Sequence, residues 1–167
     1  MRLATQAGEA VFPVIAKILP TAIFNRSDPI VLGIEVQEGS LRVGQPLCVV
    51  TPPRDELEEE FGSALPVVLQ LGRVGSIERD HVQLEVARAA DGNVAVKIMP
   101  KESHLMYGRH FDHTQPLLAH ITRRSIDLLK ANFRGEMQDE DWRCVIKLKG
   151  LLAVDAHANL QAGLGAR

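Results

Sequence analysis

The feature that most constrains the fold is the close spacing of turn signals between short apolar runs in residues 11–100. The turn motif Asn25-Arg26-Ser27-Asp28-Pro29 precedes an apolar run over 30–36. Glycines at positions 39 and 44 come before another run, over 46–50. Short strands joined by tight turns at this spacing are typical of β-barrels and β-sandwiches.

The same pattern resumes beyond residue 66 and raises the number of predicted strands to six or seven. Apolar residues alternate with polar or small ones at Val82, Leu84 and Val86, which predicts a half-buried strand. After the turn signal Asp91-Gly92, a second alternating segment covers 94–98. Six or seven strands are enough to close a small barrel and leave no exposed sheet edge.

Beyond Pro100 the apolar period changes from two residues to that of a helix. The first predicted helix has Ser125 as its N-cap, and its apolar stripe is formed by Ile126, Leu129, Phe133 and Met137. The expected fold class is therefore mainly β with C-terminal α: a closed barrel followed by helices.

A second helix is predicted from about Asp139, because acidic residues begin it and Lys147 and Lys149 lie near its end. Its apolar stripe consists of Trp142, Val145, Leu148 and Leu152. The helix is apolar beyond that stripe, at Cys144, Ile146 and Leu151. It therefore carries more apolar surface than one neighbouring element would cover.

These patterns divide the chain into four parts. Residues 11–113 form the predicted barrel, interrupted by an acidic loop at 51–66, and residues 114–152 form the helices. Residues 1–10 precede the barrel as the end of a longer element or a frayed lead-in. The small, Gly-rich segment 153–167 is predicted to be disordered.

Composition and charge narrow the classes of function. A net charge of −2 argues against a protein that coats DNA or a basic membrane anchor. No apolar run approaches the roughly 18 residues that a membrane helix needs, and no secretory signal is evident. Cys48 and Cys144 lie in apolar runs, as buried free thiols in a reducing compartment do. We expect a cytoplasmic protein that binds neither DNA nor a membrane, and a monomer.

No pattern of catalytic residues is complete. A phosphate-binding glycine loop followed by lysine is absent, and so is a serine nucleophile motif. The strongest candidate for an enzyme is a metal site that would use His104, His110 and Asp112. Two imidazoles three residues apart, His110 and His113, flank Asp112, but no distant cysteine or carboxylate is singled out to complete the site. Its alternative is an RNA-binding surface, in which aromatic rings stack on bases and arginine contacts phosphate. That surface would consist of Tyr107, Arg109, His110 and Phe111.

Short blocks of sequence, collinear over residues 11–152, carry a family resemblance. They are Ile18-Leu19-Pro20, Ile23-Phe24-Asn25, Asp28-Pro29-Ile30-Val31-Leu32-Gly33, Val74-Gly75-Ser76-Ile77-Glu78, Val94-Ala95-Val96-Lys97-Ile98, Tyr107-Gly108-Arg109-His110-Phe111, Ser125-Ile126-Asp127-Leu128-Leu129-Lys130, Phe133-Arg134, Glu136-Met137 and Asp141-Trp142. Together they resemble the C-terminal domain (domain IV) of the eukaryotic and archaeal translation initiation factor 5B family, relatives of bacterial initiation factor two. The acidic insertion at 51–66 is longer than is usual there, and Gly150 would end the second helix early.

The resemblance implies a closed barrel like domain 2 of elongation factors, with two or three helices packed on it and residues 1–10 ending a linker helix. It implies a role on the ribosome, where the domain binds the acceptor end of initiator Met-tRNA. It also implies that the helices bind the acidic, apolar C-terminal tail of initiation factor 1A. The residues assigned to that tail are Leu129, Lys130, Phe133, Arg134, Trp142, Val145, Lys147 and Lys149.

The resemblance also places GTP and Mg²⁺ in a GTPase domain that lies outside this chain. No cofactor, metal or catalytic residue is therefore expected here. The remaining alternatives are the small metal-dependent enzyme described above and a general protein-interaction barrel with no role in RNA binding.

Overall fold

The computed structural model describes residues 10–51 and 67–154. These residues form eight strands and two α-helices, with a 3₁₀ turn before β7 and another between the helices. The strands are β1 Val14–Asn25, β2 Ile30–Arg42, β3 Pro46–Thr51, β4 Val67–Arg79, β5 Val82–Leu84, β6 Val86–Arg88, β7 Asn93–Pro100 and β8 Leu117–Ala119. The helices are α1 Arg123–Asn132 and α2 Asp139–Leu151, and the 3₁₀ turns are Ala89–Asp91 and Arg134–Glu136.

Six of the strands close an antiparallel barrel in the order β1-β8-β3-β4-β7-β2, and pairing of β1 with β2 completes the ring. The two short strands extend it, since β5 pairs with β4 and β6 pairs with β2. The predicted fold class, a closed barrel of the translation-factor type followed by packed helices, is confirmed.

The barrel extends further along the chain than residue 113. Strand β8 lies between β1 and β3, so residues 117–119 belong to the barrel and the boundary predicted at 113/114 falls too early. All three residues of β8 are buried. A strand of three residues is too short to show the alternation from which the other strands were predicted.

The alternating segment around Val82 was assigned to the wrong face. Val82 is 60% exposed and Val86 is 38% exposed, whereas Ala87 is fully buried. The segment is two strands with a break at Glu85, and each pairs with a different strand of the barrel. The alternation of Val82, Leu84 and Val86 runs across this break. It therefore does not define one face of a strand, because the two halves pair with different strands.

The core inside the barrel is aliphatic, as the low aromatic content predicts. Its largest fully buried side chains include Ile18, Ile30, Leu32, Ile34 and Ile98. The turn between β1 and β2 forms as predicted, with the Asn25 amide donating to the carbonyls of Ser27 and Pro29. This turn brings Arg26 to the end of the barrel where residues 104–113 also lie.

Helix α1 begins earlier than predicted. Its N-cap is Thr122, whose side chain accepts a hydrogen bond from the Ser125 amide, while the Ser125 hydroxyl accepts one from the Thr122 amide. This reciprocal capping box satisfies two amides that the first turn leaves unpaired. The assignment of Ser125 as N-cap is therefore wrong, since Ser125 is the third helical residue and is buried.

Helix α2 begins at Asp139 as predicted and includes Gly150 before it ends at Leu151. The predicted linker helix, the acidic loop and the disordered tail fall almost entirely on residues 1–9, 52–66 and 155–167, outside the described residues. Within the described part, helices of sufficient length and apolarity to cross a membrane are absent.

Candidate functional site

Two regions carry the residues predicted to bind partners, and the first is the loop over 104–113. Tyr107 is 7% exposed and Phe111 is 3% exposed, and their rings pack edge to face with centroids 5.5 Å apart. Rings that are buried against each other have no free face on which a base could stack. Their burial disfavours direct stacking of Tyr107 and Phe111 on RNA and indicates that they hold the loop in place, while the predicted contact of this loop with RNA stays a prediction.

Backbone hydrogen bonds fix this loop to the β1–β2 turn. The Tyr107 amide donates to the Arg26 carbonyl at 2.9 Å, and the Gly108 amide donates to the Phe111 carbonyl at 2.7 Å. Gly108 has φ +88°, a conformation that favours glycine, and the Arg26 guanidinium lies 3.7 Å from where a Cβ would be. Arg26 and Arg109 are both exposed at this end of the barrel.

His110 is exposed, and its Nδ1 accepts a hydrogen bond from the Met106 amide at 3.0 Å. Its Nε2 therefore carries the hydrogen when the ring is neutral. Of the four residues predicted to contact RNA, Arg109 and His110 are those whose side chains reach the surface. Sequence reasoning missed Arg26, which the turn places beside them.

The metal-site alternative requires His104, His110 and Asp112 to converge. The rings of His104 and His110 pack edge to face with centroids 5.6 Å apart. Asp112 accepts hydrogen bonds from the Thr114 amide and hydroxyl, and these bonds lower the pKa of the Asp112 carboxyl. Over 10–51 and 67–154, three or more residues of the His, Cys, Asp and Glu types are not grouped closely enough to hold a metal ion.

The second region is the helix pair. Along α2, the buried face consists of Asp141, Cys144, Val145 and Leu148. On α1, Leu129 is fully buried, and Val145 of α2 is only 3% exposed. Leu129 and Val145 therefore belong to the core, and this burial disfavours their predicted contact with a bound tail.

The exposed edge of α2 combines apolar and basic side chains. Ile146 is 69% exposed, one turn after Trp142, which is half-buried. Lys149 follows Ile146 by three residues and Trp142 by seven, so all three lie along one side of the helix. We call Trp142, Ile146 and Lys149 the exposed strip of α2, in which Ile146 is exposed and Trp142 and Lys149 are half-buried. Sequence reasoning noted Ile146 as surplus apolar surface but did not assign it to a binding site.

Lys147 lies on the other edge of α2. Five residues separate it from Trp142, which corresponds to about 140° around the helix axis. Its Nζ donates a hydrogen bond of 2.6 Å to the Glu38 carboxylate on β2. Its ammonium thus pairs with the barrel on the edge away from Trp142, and the predicted contact of Lys147 with a bound tail stays a prediction.

Besides the Lys147–Glu38 pair, two contacts hold the helix region on the barrel, and a third supports one of them from the barrel side. The Arg88 guanidinium lies 3.3 Å from the carboxylate of Asp141, which also accepts the Gln138 amide and is 2% exposed. The rings of Phe12 and Phe133 pack edge to face at 5.5 Å. The guanidinium of Arg42, on β2, lies over the ring of Phe12, 3.7 Å from its centroid. Burial, and then the charge of Arg88, lower the pKa of Arg42.

The remaining predicted residues of the helix site are partly or wholly accessible. Phe133 is half-buried by its contact with Phe12, while Lys130 and Arg134 are exposed. The accessible residues of the helix region are therefore Lys130, Phe133 and Arg134 on and after α1, and the exposed strip on α2. Leu129 and Val145 are not part of this accessible set, because they lie in the core, and Lys147 lies on the other edge of α2.

Comparison with known proteins matches this architecture. Residues 12–51 match the family described as elongation factor Tu domain 4. Over 147 residues, or 87% of the chain, the sequence is 42% identical to human eukaryotic translation initiation factor 5B and covers 11% of it. Over 148 residues it is 36% identical to the factor 5B of Schizosaccharomyces pombe, covering 87% of this chain and 13% of that protein.

The chain is homologous to part of translation initiation factor 5B. A solved structure extends the likeness to the fold: the crystal structure of GDP-bound aIF5B from Aeropyrum pernix superposes with a TM-score of 0.62 at 26% identity. That match covers 91% of this chain and 22% of the archaeal chain. The predicted resemblance to the C-terminal domain of factor 5B is confirmed, and the chain spans about a ninth of the length of its human relative.

Proposed function

We propose that this chain is a non-catalytic binding domain of translation initiation, and that α2 binds the acidic, apolar C-terminal tail of initiation factor 1A. One observation carries the proposal: the exposed strip of α2 leaves Ile146 69% exposed beside a half-buried tryptophan. Exposed apolar groups next to a tryptophan are typical of interface anchors. Homology with factor 5B supports a role on the ribosome, and GTP and Mg²⁺ belong to the part of the longer factor outside this chain.

The chemistry of the strip fits such a tail. Apolar side chains of the tail would pack on Trp142 and Ile146, and its carboxylates would pair with Lys149 and with exposed Lys130 and Arg134. Each exposed pair contributes about 1 kcal/mol or less, so the apolar contacts dominate the affinity. Asp139 and Glu140 at the start of α2 repel carboxylates, which favours placing the acidic part of the tail toward the C-terminal half of the helix.

The test is the affinity of a fluorescent tail peptide for three variants of the full chain. We expect Trp142→Ala and Ile146→Asp each to weaken binding about tenfold or more, as loss of an interface anchor does. Val82→Asp is the matched control for Ile146→Asp, since Val82 is 60% exposed on β5. Affinity that is unchanged in Trp142→Ala and Ile146→Asp, with folding intact by circular dichroism, would contradict the proposal.

We propose a second binding activity for a surface that is charged rather than apolar, at one end of the barrel. The exposed cations Arg26 and Arg109, together with His110, surround Gly108 at one end of the barrel. Guanidinium groups grip phosphate and stack on unpaired bases, so this end would contact the acceptor end of initiator Met-tRNA. With Tyr107 and Phe111 buried, the contact would depend on charge rather than on aromatic stacking.

This second proposal predicts weak binding that is sensitive to salt. We expect the double variant Arg26→Ala/Arg109→Ala to bind tRNA more weakly at low salt. The slope of log affinity against log salt concentration should become shallower by about one unit per arginine, because each arginine contacts about one phosphate. Lys17→Ala, which removes an exposed cation from β1, is the control. If the double variant binds initiator tRNA as tightly as Lys17→Ala at every salt concentration, the tRNA site lies elsewhere.

A further inference from the structure

A groove of about 550 Å³ crosses the outside of the barrel. Its floor is made of small residues on neighbouring strands: Ala22 on β1, Gly33 on β2 and Ala95 on β7. Gly33 and Ala95 face each other in the β2–β7 register. Small side chains at these outward positions are what leaves the surface concave.

An exposed aromatic ring forms one wall. Phe24, near the end of β1, is 67% exposed and lines the groove. The ring therefore leaves a large apolar surface in contact with water. The face of a phenyl ring also attracts cations, with a preference for arginine.

The opposite wall is acidic. It consists of residues 78–81, at the end of β4 and in the β4–β5 turn, with the carboxylates of Glu78 and Asp80. The one guanidinium of this wall, Arg79, lies 3.1 Å from Asp91 and 3.9 Å from Asp80. Asp80 and Asp91 thus lie beside Arg79 and Glu78 adds a third carboxylate to this wall, whereas another cation, Lys97, pairs with Val31 on the β2–β7 side of the groove. The local field is negative, which repels phosphate and attracts cations.

The turn that forms this wall has a defined backbone. Asp80 has φ +51° and His81 has φ +65°, so both occupy the left-handed region. Two such residues in succession match the type I′ turn that connects two-residue hairpins. The hairpin fixes the Asp80 carboxylate, which is 93% exposed, at the rim of the groove.

We infer that this groove binds a basic segment of a partner protein, with an arginine or lysine side chain between the Phe24 ring and the carboxylates of Glu78 and Asp80. An apolar neighbour on that segment would pack on the floor at Ala22 and Ala95, which are partly exposed on either side of buried Gly33. The inference rests on the charge of the wall and the exposed ring. It goes beyond the proposed function, because the tail of initiation factor 1A and the tRNA acceptor end are both acidic and would be repelled here.

The test is an NMR titration of the full chain with three probes: a ten-residue peptide of alternating leucine and arginine, the same peptide with glutamate in place of arginine, and a ten-nucleotide single-stranded RNA. We expect the arginine peptide alone to shift the amide signals of Gly33 and Ala95. Phe24→Ala should weaken its binding about two- to fivefold, as loss of a cation–π contact does at an exposed site. Glu78→Gln/Asp80→Asn should weaken it further and flatten its salt dependence.

Two controls separate this groove from general attraction of basic peptides. Glu102→Gln removes an exposed carboxylate outside the groove, and Ile146→Ala removes an exposed apolar side chain from α2. Both variants should bind the arginine peptide as the unmodified chain does. Equal binding of the glutamate peptide, shifts of Gly33 and Ala95 caused by the RNA, or unchanged affinity in Phe24→Ala would each overturn the inference.

Discussion

The loop over 104–113 and helix α2 have similar sequence patterns, since both combine aromatic residues with cations, yet they use their aromatic residues in opposite ways. In the loop, Tyr107 and Phe111 are buried against each other and the charged side chains remain outside. In α2, Trp142 stays half-exposed and Ile146 projects into solvent. Aromatic residues thus stabilise the fold in the loop, whereas in α2 the aromatic residue remains partly accessible to a partner.

The difference follows from how each backbone is satisfied. A helix pairs its own amides and carbonyls, so α2 needs only one apolar face to attach it to the barrel. The loop lacks such a repeating ladder, and its amides donate instead to scattered acceptors, such as the carbonyls of Arg26 and Phe111 and the ring of His110. The buried rings add to its order. An aromatic residue in an irregular loop is therefore weaker evidence for a binding site than one at the edge of a helix.

The largest expected effect separates the two kinds of residue within the loop. Phe111→Ala should lower the free energy of unfolding by about 3–5 kcal/mol, because it removes a buried ring and leaves a cavity. Arg109→Ala, two residues away and exposed, should change it by no more than about 0.5 kcal/mol. Urea unfolding of both variants checks this. Similar losses in the two would mean that the ring is not part of the core.

The same comparison can be made on the helices. Leu129→Ala should cost about 2–5 kcal/mol, because Leu129 is fully buried in α1. Ile146→Ala should lie within about 0.5 kcal/mol of the unmodified chain, because its side chain is mostly in water. Thermal or urea denaturation measures both. A large loss in Ile146→Ala would show that the exposed strip is covered by the domain itself rather than available to a partner.

Two buried thiols, one in the barrel and one in α2, make the stability of the protein depend on pH above about pH 9. Burial raises the pKa of Cys48 in β3, and that of Cys144 in α2, from 9.0 to about 12. The unfolded chain therefore loses these protons at lower pH than the folded one, so the stability is fully present below about pH 9 and falls as the pH rises toward 12. The expected slope is about 1.4 kcal/mol per pH unit for each fully buried thiol.

The measurement is urea unfolding between pH 7 and 11 of the unmodified chain beside Cys48→Ala and Cys144→Ala. Each variant should show a shallower loss of stability above pH 9 than the unmodified chain, whatever its stability at pH 7. Parallel curves for all three proteins would mean that the thiols are accessible in the folded state.

The smallest effect concerns the other edge of α2. The Lys147–Glu38 pair is more than half exposed on the lysine side, so Lys147→Met should cost only about 0.2–1 kcal/mol of stability. Tail binding should be unchanged, because Lys147 lies about 140° from Trp142 around the helix. Weaker tail binding in Lys147→Met than in a Lys149→Met control would reverse the assignment of edges.

The sequence predicts most of the fold because periodicity is a local property. The alternation in β7 and the stripe of Val145, Leu148 and Leu152 in α2 appear in the structure as buried faces. Strand β8 could not be found, because it consists of three residues whose partners lie more than 65 residues away in the chain. The choice of Thr122 over Ser125 as N-cap could not be made either, since both side chains carry a hydroxyl that can cap a helix.

The candidate sites were less predictable, because exposure depends on distant parts of the chain. The burial of Tyr107 depends in part on the β1–β2 turn, through the carbonyl of Arg26. Lys147 faces the barrel because Glu38, 109 positions earlier, lies beneath it. Sequence spacing gives the residues that share a helix face but does not show which face the barrel covers.

The central claim, that the exposed strip of α2 binds the tail of initiation factor 1A, can be tested directly with the only tryptophan in the chain, Trp142. The measurement is the emission of Trp142 as a synthetic tail peptide is added to the full chain. We predict a saturable shift of the emission to shorter wavelength, because the indole leaves water on binding. The shift should be lost in Ile146→Asp. Saturable binding of the peptide by anisotropy with no change in Trp142 emission would contradict this claim.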